Sequence, residues 1–174
     1  MILVGVGSNL SVPGIGGPRD VVAAAVRALG HEGLTVAAVS PWYRSAPVPV
    51  SDQPWYVNGV LRVETGLDAP ALLAVLHRVE AAFGRVRRQV NEARGLDLDL
   101  LAYHAEIRSE APVLPHPRMD QRAFVLLPLR DIAPAWRHPV SGLGMADLVA
   151  GLPAGQVTER IAGIAVPAGA SQGT

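Results

Sequence analysis

The chain has 174 residues, 49% of them apolar, and its 15 Lys and Arg are balanced by 15 Asp and Glu. That length and composition suit one domain with a sizeable core, and the balanced charge advertises no nucleic-acid groove, although a local basic cluster can still hold a phosphorylated small molecule. Cys is absent, which excludes disulfides, thiolate catalysis and zinc-cysteine sites, and every basic side chain other than His is Arg, which excludes a Walker-type phosphate loop.

Residues 2–6 are a short apolar run closed by Gly7, Ser8 and Asn9, the pattern of a buried strand ending in a loop. Residues 11–17 are rich in Gly and Pro. Pro18 then suits the first turn of a helix in which Val21, Val22, Ala25, Val26 and Leu29 recur at helical spacing up to Gly30. The β-branched content predicts further strands over 34–39 and 57–63. Between them, 41–54 contains four prolines and reads as a stiffened loop that cannot continue a central strand. Trp42, Tyr43, Trp55 and Tyr56 flank it. Such rings either cap the edge of a core or line a pocket for a flat ligand, and both readings stand at this point.

A second helix is predicted over 68–83, with Asp68 as N-cap, Pro70 in the first turn, a stripe of Leu72, Leu73, Leu76, Val79 and Phe83, and Gly84 as its stop. Glu80 on that helix reads as a surface carboxylate unless the fold brings it to a ligand. Residues 85–94 show neither helical nor strand periodicity and carry Arg85, Arg87, Arg88 and Arg94, so they read as a mobile arginine-bearing loop.

That loop leads into Leu96-Asp97-Leu98-Asp99-Leu100, whose period of two predicts a half-buried strand with leucines on one face. Asp97 and Asp99 emerge on the other face, about 7 Å apart along the strand. The bland alternative is a solvated sheet face. Asp is depleted in strands, however, and two of them behind an arginine cluster favour a site in which a divalent cation offsets their repulsion. Mg²⁺ is commonly held by one or two carboxylates together with substrate phosphates.

Further on, Pro115 and Pro117 bracket His116, and 122–127 begins a short apolar element that Pro128 is expected to stop. His116 and Arg122 are either structural or able to grip phosphate oxygens. No apolar run is long enough to span a bilayer and the N-terminus lacks the plan of a signal peptide, so the expectation is a soluble, cytoplasmic protein. Residues 1–163 read as the single domain, and 164–174, rich in Ala, Gly, Pro and Ser, as a disordered tail.

Taken together, several of these pieces resemble the 6-hydroxymethyl-7,8-dihydropterin pyrophosphokinase family of the folate pathway. They are Gly7-Ser8-Asn9-Leu10, Tyr43-Arg44-Ser45-Ala46-Pro47, Asp52-Gln53-Pro54 with Tyr56 and Asn58, Glu80, Gly84-Arg85-Val86-Arg87, Arg94 with Leu96 to Asp99, Pro115 to Met119, and Arg122-Ala123-Phe124. The resemblance runs in order as far as about Gly155. Many members carry Trp and a Gly-Pro pair before the arginine that precedes the aspartate strand. This chain has Val90-Asn91-Glu92-Ala93 there instead, and the run is one residue shorter.

The resemblance implies an α+β, ferredoxin-like sandwich, an antiparallel sheet with helices packed on it and mobile loops that close over the substrates. It implies diphosphoryl transfer from ATP to the pterin, with Asp97 and Asp99 holding two Mg²⁺ ions and acting with Arg85 and Arg94 in catalysis. The pterin would lie between Tyr56 and Phe124, met by Asn58 and by the backbone near Ser45, Ala46 and Val48. Arg85, Arg87, Arg94, His116 and Arg122 would hold the triphosphate, and Glu80 would lie along the nucleotide site. The implied ligands are small molecules, with no nucleic acid, membrane or obligate protein partner. The competing readings are a ferredoxin-like module that binds single-stranded RNA on its sheet face, and a diverged relative that binds pterin without transferring anything.

Overall fold

The computed structural model describes residues 1–84 and 95–162. The arginine-bearing stretch and the tail therefore lie outside the described residues. Among the described residues, six strands form one sheet. β1 (Ile2–Ser8) lies between β5 (Asp97–Tyr103) and β4 (Tyr56–Glu64), antiparallel to both. β2 (Thr35–Val39) and β3 (Tyr43–Ser45) pair with successive parts of β4, and β6 (Thr158–Arg160) pairs with β3. α1 (Pro18–His31) joins β1 to β2 and α2 (Ala69–Ala82) joins β4 to β5. The resulting βαββαβ order, with the first and third long strands central, is the expected ferredoxin-like arrangement.

The alternation of each strand divides the core in two. Ile2, Val4 and Val6 of β1, Val57, Leu61 and Val63 of β4, and Leu98 and Leu100 of β5 pack with Val22, Leu29, Leu72 and Leu76 of α1 and α2. On the reverse face, Leu3, Val60 and Leu101 pack with Leu126 and Leu129 of α3 (Ala123–Ile132) and Leu148 of α4 (Met145–Ala150). Helices thus cover the sheet from both sides, as the expected sandwich requires. The second helix begins as predicted, with the Asp68 carboxylate accepting a hydrogen bond from Ala71 N at 2.9 Å.

Two local expectations are corrected. The segment 41–54 is not loop throughout, because β3 occupies Tyr43–Ser45. Its prolines fall at 41, 47, 49 and 54, so none removes a ladder donor from those three residues. The chain leaves β2 at Ser40, whose Oγ accepts from Val60 N at 2.9 Å, and the Trp42 ring then covers Gly59, where a Cβ would stand 2.6 Å from the ring. Pro128, expected to end its element, instead sits buried within α3. An interior Pro forfeits one helical hydrogen bond and costs roughly 3 kcal/mol; burial of Val125, Leu126 and Leu129 against the sheet offsets it.

Candidate functional site

The aspartate strand has the predicted polarity. Leu96, Leu98 and Leu100 are buried beneath α1 and α2, while Asp97 and Asp99 are part-exposed on the reverse face. Asp97 stands opposite Gly7 and Asp99 opposite Gly5, and Gly7 in turn stands opposite Asn58 of β4. The middle strand therefore offers bare backbone between two carboxylates on one side and an amide on the other. Gly7 is required by close approach, since a Cβ there would lie 2.8 Å from Asn58 Oδ1. Asn58 cannot easily swing away, being buried, with Nδ2 donating to Ser45 Oγ at 2.8 Å. Among the described residues, α3 and α4 cover the other end of this face, and Asp97 and Asp99 stand part-exposed at the near end.

Arg122, Phe124 and His116 gather on the Asp99 side of that floor. Arg122, the residue just before α3, brings Nη1 to 3.6 Å from Asp99 Oδ2, and its guanidinium lies 5.4 Å from the centre of the Phe124 ring. His116 is tied beside β5 by its own N–H, which donates to Leu101 O at 2.8 Å. Burial holds the imidazole below its ordinary pKa, the Asp99 charge opposes this, and Arg122 and Arg118 reinforce it. Arg118 N donates to His116 Nδ1 at 3.2 Å, which leaves the proton of the neutral ring on Nε2.

Glu80 is not the surface carboxylate its helix position suggested: it is 1% exposed. Among the described residues β5 is an edge strand, and an edge presents N–H groups that the ladder cannot satisfy. Glu80 Oε1 accepts one of these from Leu98 N at 2.8 Å, midway between Asp97 and Asp99. From α2 it thus steadies the strand that carries both carboxylates.

The remaining expected site residues divide. Ser45 is buried, Tyr56 and Phe124 are part-exposed, and Val48 is exposed. Ala46 N–H is already engaged by Val157 O at 3.1 Å. Arg85, Arg87 and Arg94 lie outside the described residues. Two residues given no role in the sequence reading organise the same region. Buried Asn9 donates through Nδ2 to Gln53 Oε1 at 3.3 Å and to Pro54 O at 3.2 Å, and Tyr56 OH donates to Gln53 Oε1 at 3.3 Å. Gly7-Ser8-Asn9 was visible as a strand end, and the polar residue buried there is the available sign of this tie.

Among the described residues no group of three or more His, Asp or Glu could hold a metal alone. A pair of carboxylates on adjacent same-face positions fits a Mg²⁺ that arrives with nucleotide phosphates as its other ligands, and does not fit a resident protein cage. Among the described residues, helices pack on both sheet faces, whereas the RNA-binding alternative needs an uncovered sheet face carrying aromatics. No helix among the described residues is long and apolar enough to cross a membrane.

Residues 3–134 match the family described as 7,8-dihydro-6-hydroxymethylpterin-pyrophosphokinase, HPPK. The chain is 40% identical over 155 residues to a Pseudomonas aeruginosa protein named 2-amino-4-hydroxy-6-hydroxymethyldihydropteridine pyrophosphokinase, covering 87% of this chain and 91% of that one. It is 36% identical over 147 residues to the folic acid synthesis protein fol1 of Pneumocystis carinii, covering 84% of this chain but only 19% of that longer protein. Its fold is similar to a Plasmodium falciparum HPPK-DHPS crystal structure, with a TM-score of 0.63 at 13% identity over 86% of this chain and 43% of that one.

Proposed function

Because this chain belongs to the 7,8-dihydro-6-hydroxymethylpterin-pyrophosphokinase family, we propose that it transfers the β,γ-diphosphoryl group of ATP to 6-hydroxymethyl-7,8-dihydropterin. The observation that carries this reading is the meeting of Asp99, Arg122 and His116 beside the glycine-floored face. Carboxylates for a cation and cations for phosphate, beside aromatic side chains, are the groups that a metal-nucleotide and a flat heterocycle would need together.

In this reading the hydroxymethyl oxygen bonds to the β-phosphorus, the bond from that phosphorus to the AMP oxygen breaks, and the hydroxyl proton is released. Catalysis of such a transfer is chiefly positioning and charge stabilisation. Asp97 and Asp99 hold two Mg²⁺ ions, which when bound with ATP supply Lewis-acid charge neutralisation. Arg122 holds phosphate oxygens that share its charge with Asp99, and the neutral His116 offers Nε2–H as a donor. Arg85, Arg87 and Arg94 complete the phosphate contacts, with Arg85 and Arg94 serving the chemical step. Glu80 acts on the nucleotide site through β5.

Tyr56 and Phe124 flank the pterin, whose polar edge Asn58 reads, with Ser45 and the backbone at Ala46 and Val48 closing the pocket. The substrates are cytoplasmic small molecules, and no protein partner is needed for turnover. Incubation with ATP, Mg²⁺ and the pterin alcohol, followed by nucleotide chromatography, tests the reading: AMP is the expected nucleotide product, and ADP or no product contradicts it.

A further inference from the structure

Arg122 belongs neither to the 3-10 turn before it (Met119–Gln121) nor to α3 after it. Its φ of −118° and ψ of 111° are strand values, and its own N–H makes a long 3.4 Å bond to Met119 O. Yet the two peptide groups that flank its Cα are held by one side chain. Gln156 Oε1 accepts from Ala123 N at 2.9 Å, and Gln156 Nε2 donates to Gln121 O at 2.7 Å. A primary amide carries one acceptor and two donors. Bonded in this way, it gives residue 122 what a neighbouring strand would give, an acceptor for one flanking N–H and a donor for the other flanking carbonyl.

The segment that carries Gln156 is anchored on its other side to the region expected to meet the pterin. Val157 O accepts from Ala46 N, and Thr158 stands opposite Ser45 in the pairing of β6 with β3. Gln156 also lies beyond the family match, which ends at residue 134. With both flanking peptides pinned, the backbone of Arg122 has little freedom, and neither does the direction in which its side chain leaves toward Asp99.

We infer that Gln156 is a positioning residue that aims Arg122 into the site. The inference rests on the diphosphoryl-transfer reading above. The first turn of α3 stays bonded without the amide, because Arg122 O accepts from Val125 N and Leu126 N, each at 3.0 Å. Loss of the amide therefore loosens the aim of the guanidinium and leaves the helix standing. A misplacement of about 1 Å can cost up to roughly 100-fold in rate.

The test is a double-mutant cycle in single-turnover AMP formation, with ATP affinity and melting temperature measured alongside. Gln156→Ala is expected to slow turnover by roughly 10- to 100-fold while melting close to wild type. In an Arg122→Ala background the same change is expected to cost less than about twofold, because residues acting through one contact are not additive. Glu159→Ala breaks an exposed ion pair with Arg44 on the same segment and is expected to leave the rate unchanged. Should Gln156→Ala fail to fold, Gln156→Glu serves in its place, since it keeps the acceptor for Ala123 N and sets an oxygen against Gln121 O. Wild-type turnover in the Gln156 variant, or an equal loss in both backgrounds, overturns the positioning role and leaves the function intact. A wild-type protein that makes no AMP overturns both.

Discussion

Glu80 Oε1 and Leu98 N lie 2.8 Å apart across the open edge of β5, so a fully buried carboxylate on α2 fastens the strand residue between Asp97 and Asp99. Removing the carboxylate leaves a buried N–H without its acceptor, a loss of roughly 1–3 kcal/mol. Glu80→Ala is expected to lower stability by about that amount in urea denaturation and to lower turnover as well. Glu80→Gln, which keeps an acceptor at Oε1, should retain more of both. A Glu80→Ala protein as stable as wild type would show that this bond does not hold β5.

Asp97→Asn and Asp99→Asn are expected to abolish transfer while the melting temperature stays near wild type, because these side chains face the open floor and the intervening leucines carry the packing. Each substitution removes one negative ligand from a pair that Mg²⁺ and phosphate would share. Turnover across a Mg²⁺ titration, with calorimetric melting on the same samples, separates the outcomes. Full activity in either variant sinks the metal assignment.

Tyr56→Ala and Phe124→Ala should weaken pterin binding and leave ATP binding nearly unchanged. Stacked aromatic contacts contribute roughly 0.5–1.5 kcal/mol beyond burial, or about two- to tenfold in affinity. Titration calorimetry with each ligand decides the matter. Equal losses for both ligands would mean that the rings support the scaffold and do not line the pterin pocket.

His138 provides a pH-dependent contribution to stability. It is buried, its Nδ1 accepts from Ser141 N at 3.3 Å, and burial lowers its pKa against an opposing pull from Asp120. The unfolded chain takes up this proton near pH 6.5, while the folded chain resists until lower pH. The contribution is therefore present above about pH 6.5 and is lost as the pH falls through the lowered folded value. Chemical denaturation between pH 8 and 5 should show a steeper acid loss for wild type than for His138→Gln. Parallel curves would contradict it.

What could be read before the structure was what depends on neighbours in sequence. A period of two leaves a strand only two ways to face, so Leu96, Leu98 and Leu100 settled where Asp97 and Asp99 would emerge. Asp68 was likewise legible as a cap because its partner Ala71 is three residues away. β3 was not legible, since its prolines dominate the local pattern while its partners lie in β4 and in the distant β6. Pro128 misled because burial of its helix outweighs a local penalty. Glu80 read as solvent-facing because its partner belongs to a strand edge 18 residues on, and Gln156 carried no local sign that its amide would reach the start of α3. Distance in sequence, more than chemistry, separated the visible from the hidden.

The most direct measurement follows the β-phosphorus. With ATP labelled there, Mg²⁺ and 6-hydroxymethyl-7,8-dihydropterin, the account predicts that the label leaves the nucleotide, appears in the pterin product together with the γ-phosphate, and leaves unlabelled AMP behind. Label retained in ADP, with a single phosphate on the pterin or none, would contradict it.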